Sequence, residues 1–405
     1  VLQSQTRAGF FSGRKVKSKV ELPAGTLSLE VARSDYSLEH LCGFASRANA
    51  KRGFLFVSKV LGKHIPVKPS SMTEIHSKLA AKILEVLGGQ NAAPVLCIAL
   101  AETATGLGQS VYEHLLEQDA ALKGQSMFVH SSRYRVSTHN ILGFEESHSH
   151  ASDHLIHIPD GGLERSIFSS AKTLILIDDE MSTGSTFLNL ARAYQTQNPG
   201  LERIVLVTLT DWAGGERRRE LLAQMPAPTH PVSVLEGQYQ WTVNPDFVLA
   251  PTRAAHGNGE AKDALLERNF ARLGVLENPR VDFREILKPT GLLERYGKVG
   301  FPPPYPLNIL VLGTGEFSYL PFKFAQWLEW EGQKVHFQST TRSPIVLGGA
   351  IRTKLEFPDH YGDDIPNYVY NLEPHDYDLI FVCLETPLDL SHPLLELTKA
   401  IPVFF

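Results

Sequence analysis

A chain of 405 residues is long for one hydrophobic core, so two domains are expected. A formal charge of −5, with pI near 6.4, argues against a general nucleic-acid binder, and 43% hydrophobic against 20% charged residues excludes a disordered chain. The three cysteines, Cys42, Cys97 and Cys383, are far apart and form no metal or redox motif; Cys97, inside the apolar run 95–100, reads as a small buried hydrophobe. No apolar run reaches membrane-helix length and no signal-peptide pattern opens the chain, so a cytoplasmic protein is expected. Val1 is not Met, and the true start is expected upstream.

Residues 1 to about 70 do not read as the start of a doubly wound sheet. Their clearest strand is 53–60, surrounded by Arg47, Asn49, Lys51, Arg52, Lys59, Lys63 and His64. This basic cluster is either a solvated face or a small cap that offers cations to an anionic substrate, with Lys63 and His64 as the candidate contacts. From Ser71 the pattern changes. Met72, Ile75, Leu79, Ile83, Val86 and Leu87 recur at helical spacing, and Gly88-Gly89 stop the helix. A buried strand over 94–100 then empties into Ala101-Glu102-Thr103-Ala104-Thr105-Gly106-Leu107-Gly108, and a helix follows through Leu116. Next come a strand over 127–130 and the basic turn Ser131-Ser132-Arg133-Tyr134-Arg135. The polar segment 140–157 holds His148, His150, His154 and His157. His148, His150 and His154 with a carboxylate could hold zinc, although His-x-His is common in loops.

The most informative stretch is Leu174-Ile175-Leu176-Ile177-Asp178-Asp179-Glu180-Met181-Ser182-Thr183-Gly184-Ser185-Thr186. Its apolar run has the length of a buried parallel strand, and 187–195 reads as a helix. A strand, a small-residue turn and a helix start gather backbone N–H groups around an anion. Carboxylates at the strand end accept hydrogen bonds from vicinal hydroxyls. A ligand with a diol at one end and a phosphate at the other, such as ribose 5-phosphate, satisfies both halves. The alternative is an ordinary strand ending in solvated acids before a helix cap.

A further strand over 203–210 leads to Trp212, which either stacks on a planar acceptor or caps the core. Alternating helix and strand from Ser71 onward mean a parallel sheet with covered faces, whose ligands bind beyond the strands' carboxyl ends. Residues 226–300 read as a connecting region, interrupted by Pro226, Pro228 and Pro231 and carrying an amphipathic patch over 262–276. The Pro-rich stretch 301–306 precedes a second α/β domain over 301–405. There a strand ends in Gly313-Thr314-Gly315-Glu316, a helix spans 320–331, and strands over 335–338 and 378–384 follow. The Gly-x-Gly lacks the third glycine of a dinucleotide fingerprint, and no Gly-Lys-Ser/Thr is present. Thr341, Arg342 and Ser343 either hold a phosphate or form a capped turn before Pro344.

The stretch 174–186 resembles the signature of type I phosphoribosyltransferases, and Thr341-Arg342-Ser343-Pro344 spells the motif for which the TRSP domain is named. The chain resembles the phosphoribosyltransferase–TRSP fusions of bacterial tellurium-resistance and stress gene clusters. The resemblance implies a parallel-sheet phosphoribosyltransferase core over 1–225 with an N-terminal hood, then a Rossmann-like TRSP domain. It implies that Asp178 and Asp179 bind the ribose hydroxyls of phosphoribosyl diphosphate, with Glu180 beside them. Ser182, Thr183, Gly184, Ser185 and Thr186 would wrap the 5-phosphate. Glu102, Thr103, Ala104, Thr105 and Gly106 would meet the diphosphate. A lid over 140–157 would close on it, with Arg133, His148 and His150 as catalytic candidates. Orotate enzymes carry a related loop, but this one offers no Lys.

The resemblance further implies Mg²⁺ carried mainly by the diphosphate, with no dedicated protein metal site. Partners are phosphoribosyl diphosphate and a small-molecule acceptor, with neither nucleic acid nor membrane, and a homodimer as the candidate assembly. Hypoxanthine–guanine enzymes place an acid where this chain has Ser182, which points to an orotate-like or non-purine acceptor and a nucleoside-like product. The rival readings are a regulator that binds phosphoribosyl diphosphate without turnover, and a phosphorylase or hydrolase running the chemistry backwards.

Overall fold

The computed structural model describes residues 16–47, 52–88, 92–136, 140–145, 153–247, 270–296, 300–363 and 365–405. The described residues open with the hairpin β1 (Val16–Leu22) and β2 (Gly25–Ser34), the single turn α1 (Leu38–Leu41), and a second hairpin, β3 (Cys42–Ser46) and β4 (Phe54–Ser58). Helix α2 (Pro69–Leu87) carries Pro69 in its first turn and ends at Gly88, whose φ of 63° lets its amide reach Leu84 O. Then come β5 (Val95–Ala99), α3 (Thr105–Gln118), β6 (Ser126–His130), β7 (Ile141–Glu145), β8 (Asp153–His157) and α4 (Gly162–Ser170). The central strand β9 (Thr173–Met181) is followed by α5 (Ser185–Gln197), β10 (Arg203–Asp211), α6 (Gly215–Gln224) and β11 (Thr229–Val243).

One seven-stranded sheet, in the order β1-β2-β11-β10-β9-β5-β6, organises this half. From β11 to β6 every pairing is parallel, and β2 and β1 extend the β11 edge antiparallel. Strand β9 lies between β10 and β5, so both its faces need apolar cover. Ile175 and Ile177 enter one core and Leu174 and Leu176 the other.

Three expectations change here. Residues 16–34 carry the two outermost strands of the main sheet, β1 and β2, so of the expected hood the β3–β4 hairpin is the part that lies outside that sheet. Within 226–300, β11 is a full sheet strand rather than a connector. Pro231 is tolerated because it pairs only with β10, at Leu206; β2 joins the other edge no earlier than Leu235. The patch 262–276 lies largely outside the described residues, and its described end is an irregular segment in which Val275 bridges Phe128. The segment 140–157 contains the antiparallel β7–β8 hairpin.

The C-terminal half holds α7 (Phe283–Leu287), α8 (Leu292–Tyr296), β12 (Asn308–Gly313), α9 (Tyr319–Trp330) and β13 (Lys334–Ser339). It continues through the hairpin β14 (Lys354–Pro358) and β15 (Pro366–Tyr370), then β16 (Leu379–Leu384), α10 (Pro393–Thr398) and β17 (Ile401–Phe404). Its sheet, β13-β12-β16-β17, is parallel throughout. No described helix is long and apolar enough to cross a membrane. Cys42, Cys97 and Cys383 are buried and free.

The two halves interlock. Val67 exchanges backbone hydrogen bonds with Phe337 (3.0 and 2.7 Å), and Ser339 N–H reaches Gly62 O at 2.7 Å, so residues 62–67 line the open edge of β13. In return, Val346 N–H bonds Ser46 O at 3.0 Å and Ala350 N–H bonds Phe44 O at 2.8 Å. Apolar cores cross the same boundary: Val67 and Met72 pack with Phe322 and Phe337, and Ala45 and Val57 with Ile345 and Tyr370.

Candidate active site

The carboxyl ends of β5 and β9, the hood and the C-terminal half enclose a cavity of about 210 Å³. Strand β9 runs past its apolar core, so its acids are held by sheet pairing: Thr208 faces Asp178 and Thr210 faces Glu180 across to β10. Asp178, Asp179 and Glu180 are half-buried and all line the cavity. Asp178 Oδ1 accepts the Asp179 N–H at 2.9 Å, and Asp179 Oδ1 accepts the Thr103 hydroxyl at 2.9 Å, which ties the two loops together. Burial pushes the Glu180 carboxyl above the usual range, against the pull of Arg52, whose Nη2 lies 2.5 Å from Glu180 Oε1. The Arg52 guanidinium also rests 4.7 Å above the centre of the Phe54 ring.

The turn after the acids places Ser182, Thr183, Gly184 and Thr186 on the cavity wall at the start of α5. Ser185 is the first helical residue, and its hydroxyl is 3.0 Å from that of Thr183. Gly184 has a φ of 76°, and a Cβ there would lie 2.2 Å from Leu221 Cδ2. Gly184→Ala is therefore expected to cost about 1–2 kcal/mol in urea denaturation, mostly from the left-handed backbone, since the Leu221 tip can move aside.

The loop after β5 divides. Glu102 and Thr103 line the cavity, whereas Ala104 is fully buried beneath it. Thr105 and Gly106 do not reach the cavity, contrary to expectation, because the C-terminal half covers them. The Thr105 hydroxyl donates to Glu316 O at 2.8 Å, and a Cβ on Gly106 would meet Ser318 Oγ at 2.7 Å. Lys63 is buried behind Glu102, with Nζ 2.6 Å from Oε1, and Arg342 Nε is 3.9 Å from Oε2. Burial alone would raise the Glu102 carboxyl; Lys63 and Arg342 outweigh it and hold the group below its ordinary range. His64 lines the cavity, and burial, helped by Lys63 and Arg47, pushes its pKa down to about 3, so it is neutral at pH 7.

Thr341, Arg342 and Ser343, assigned from sequence to the second domain, open into this same cavity. The Arg342 guanidinium lies 4.9 Å above the centre of the Tyr134 ring and its Nη2 donates to the Tyr134 hydroxyl. Arg133 lines the facing wall, and its backbone N–H donates to Glu316 Oε1 at 2.6 Å. His154 also reaches the cavity, buried, with Nδ1 3.0 Å from Ser131 Oγ and its ring stacked on Phe144. His148 and His150 lie outside the described residues. Among the described residues no three His, Cys, Asp or Glu side chains converge as a metal cage.

Trp212 is corrected. It is 1% exposed and stacks face to face on Phe56 at 4.6 Å, so it caps the core, and Phe56 forms the cavity wall in its place. Of the basic cluster, sequence reasoning singled out Lys63 and His64, whereas Arg47, Arg52 and His64 line the cavity; it missed Phe56, on the strand the cluster flanks. It also missed Arg272, buried between the halves, with Nη2 3.0 Å from Glu385 Oε1 and 3.5 Å from Glu316 Oε2.

A family model described as phosphoribosyl transferase matches residues 41–238, and one described as the TRSP domain C-terminal to that family matches residues 270–400. Comparison with curated proteins gives no match. Among similar solved structures are adenine phosphoribosyltransferase from Rhodothermus marinus (16% identity, 48% of this chain and 95% of that chain, TM-score 0.33) and that from Trypanosoma brucei (11%, 48% and 76%, TM-score 0.33). A hypoxanthine phosphoribosyltransferase from Staphylococcus aureus matches at 17% identity over 38% of this chain and 70% of that chain, with a TM-score of 0.25. With a phosphoribosyl transferase region followed by a TRSP region, the chain has the fused phosphoribosyl transferase–TRSP architecture.

Proposed function

We propose that this protein transfers ribose 5-phosphate from phosphoribosyl diphosphate to a small-molecule acceptor, releasing diphosphate. The observation that carries this reading is one cavity holding both an acid pair at a strand end and a hydroxylated turn at a helix start. Asp178 and Asp179 would accept the ribose 2′- and 3′-hydroxyls. Ser182, Thr183, Gly184 and Thr186, with the first amides of α5, would take the 5-phosphate, favoured by the helix dipole.

As the C1–O bond to diphosphate lengthens, C1 gains cationic character, and the chain's task is to hold both ends of the sugar while excluding water. Mg²⁺, when it arrives with the diphosphate, supplies charge neutralisation. The half-buried carboxylates of Asp178 and Asp179 line the cavity and would offer it hard oxygen donors. Ser182 in place of an acid supports an acceptor outside the hypoxanthine–guanine class, orotate-like or non-purine. A nucleoside-like product and a link to tellurium resistance or stress rest on the TRSP resemblance alone.

The test is diphosphate release from phosphoribosyl diphosphate across a panel of nitrogen-containing acceptors. Release that depends on one acceptor supports a transferase. Tight binding with no release under any condition identifies a regulator and overturns the enzyme reading.

A further inference from the structure

We propose that Arg342, carried by the C-terminal domain, is the cation that holds the departing diphosphate, so that the two halves form one catalytic unit rather than two enzymes in tandem. The inference rests on the phosphoribosyl-transfer reading of the cavity.

The argument starts from a charge deficit. The only ionisable side chain in residues 101–106, the loop beside Asp179, is Glu102, an anion. The start of α3, whose amides would otherwise receive an anion, is closed by Glu316 and Ser318. A diphosphate next to Glu102 and Thr103 must therefore find its cation on another wall of the cavity. The Arg342 guanidinium is there, 3.9 Å from Glu102 Oε2. Its planar fork matches two phosphate oxygens at once.

Two features make this arrangement workable. Glu102 keeps Lys63 at 2.6 Å, so it stays compensated when Arg342 turns to a phosphate. The corner that carries Arg342 is also pinned. Thr341 exchanges backbone hydrogen bonds with Tyr368 (2.9 and 2.7 Å), and the Tyr370 hydroxyl accepts from Ile345 N–H and donates to Ser343 O, both at 2.8 Å. On the same wall the Ser343 hydroxyl is buried and has no hydrogen-bond partner among the described residues, which leaves it available to an anion.

In the reaction, the C1–O bond breaks and its electron pair leaves on the diphosphate oxygen, facing Arg342. The acceptor's lone pair forms the new bond to C1, and the acceptor's proton, where it has one, passes to the diphosphate or to water.

The experiment uses the full chain and two probes, inorganic diphosphate with Mg²⁺ and ribose 5-phosphate, each titrated calorimetrically. Arg342→Gln is expected to weaken diphosphate binding about tenfold or more while ribose 5-phosphate affinity stays within about twofold. Should the Gln variant fail to fold by thermal melting, Arg342→Lys decides: it keeps the charge and loses the fork, and a diphosphate-specific loss of about threefold or more is expected. Equal losses for both probes, or undiminished diphosphate affinity, overturn the assignment and leave the transfer reading standing. A wild-type chain that binds neither probe overturns both.

Discussion

Asp178→Asn and Asp179→Asn are each expected, on the proposed transfer reading, to slow diphosphate release by about two to three orders of magnitude, the cost of removing one charged contact that would tighten as a ribosyl cation forms. Stability should change by no more than about 1 kcal/mol, because an asparagine oxygen can still accept the hydrogen bonds these carboxylates make. For Asp179 that bond comes from the Thr103 hydroxyl, and for Asp178 from the Asp179 N–H. The acids are thus half-buried and tied in place before any ligand arrives. Steady-state release assays paired with urea denaturation separate the two effects. Full activity in either variant would remove that acid from the diol.

The largest stability effect is expected at Arg272. It is 1% exposed, and its Nη1 and Nη2 meet both oxygens of Glu385 at 3.2 and 3.0 Å, while its Nε lies 3.3 Å from Ser132 Oγ. Burial alone would raise the Glu385 carboxyl; the Arg272 charge outweighs it and keeps the group below its ordinary range. Arg272→Met leaves that carboxylate buried without its guanidinium partner, with the Tyr361 hydroxyl still donating to it from 2.6 Å. A loss of about 3–5 kcal/mol is expected by chemical denaturation. Adding Glu385→Gln should recover part of it, since the uncompensated charge goes with it. A loss below about 1 kcal/mol in the single variant would mean that water reaches the pair.

The cluster around this ion pair, through its contacts to Ser132 and Arg133, also explains why the halves are not independent modules. Glu316 sits beside Arg272, and its two carboxylate oxygens accept from Ser132 Oγ and Arg133 N–H, so one C-terminal side chain fixes the wall that carries Arg133. Shared apolar cores and the isolated bridges Arg47–Ile345 and Val67–Phe337 do the same for the segment around the β3–β4 hairpin. Loosening the C-terminal domain therefore loosens the cavity.

The sequence determined the central strand, its acid pair, the hydroxylated turn and the order of helices and strands around them. These were legible because each signal is local: an apolar run, a change of period, a glycine where the backbone turns left-handed. Prolines concealed β11, since whether a strand edge is paired at a given residue is a property of its neighbours. Trp212 could be placed on either side of the site until packing against Phe56 decided it. Tertiary structure alone decided the cavity's composition, because Arg47, Arg52, Arg133 and Arg342 come from segments separated by up to about three hundred residues. No local pattern records that the loops after β5, β9 and β13 line one cavity. That arrangement follows from the burial of apolar surface shared by both halves, and it places the Thr341-Arg342-Ser343 corner opposite the acids of β9.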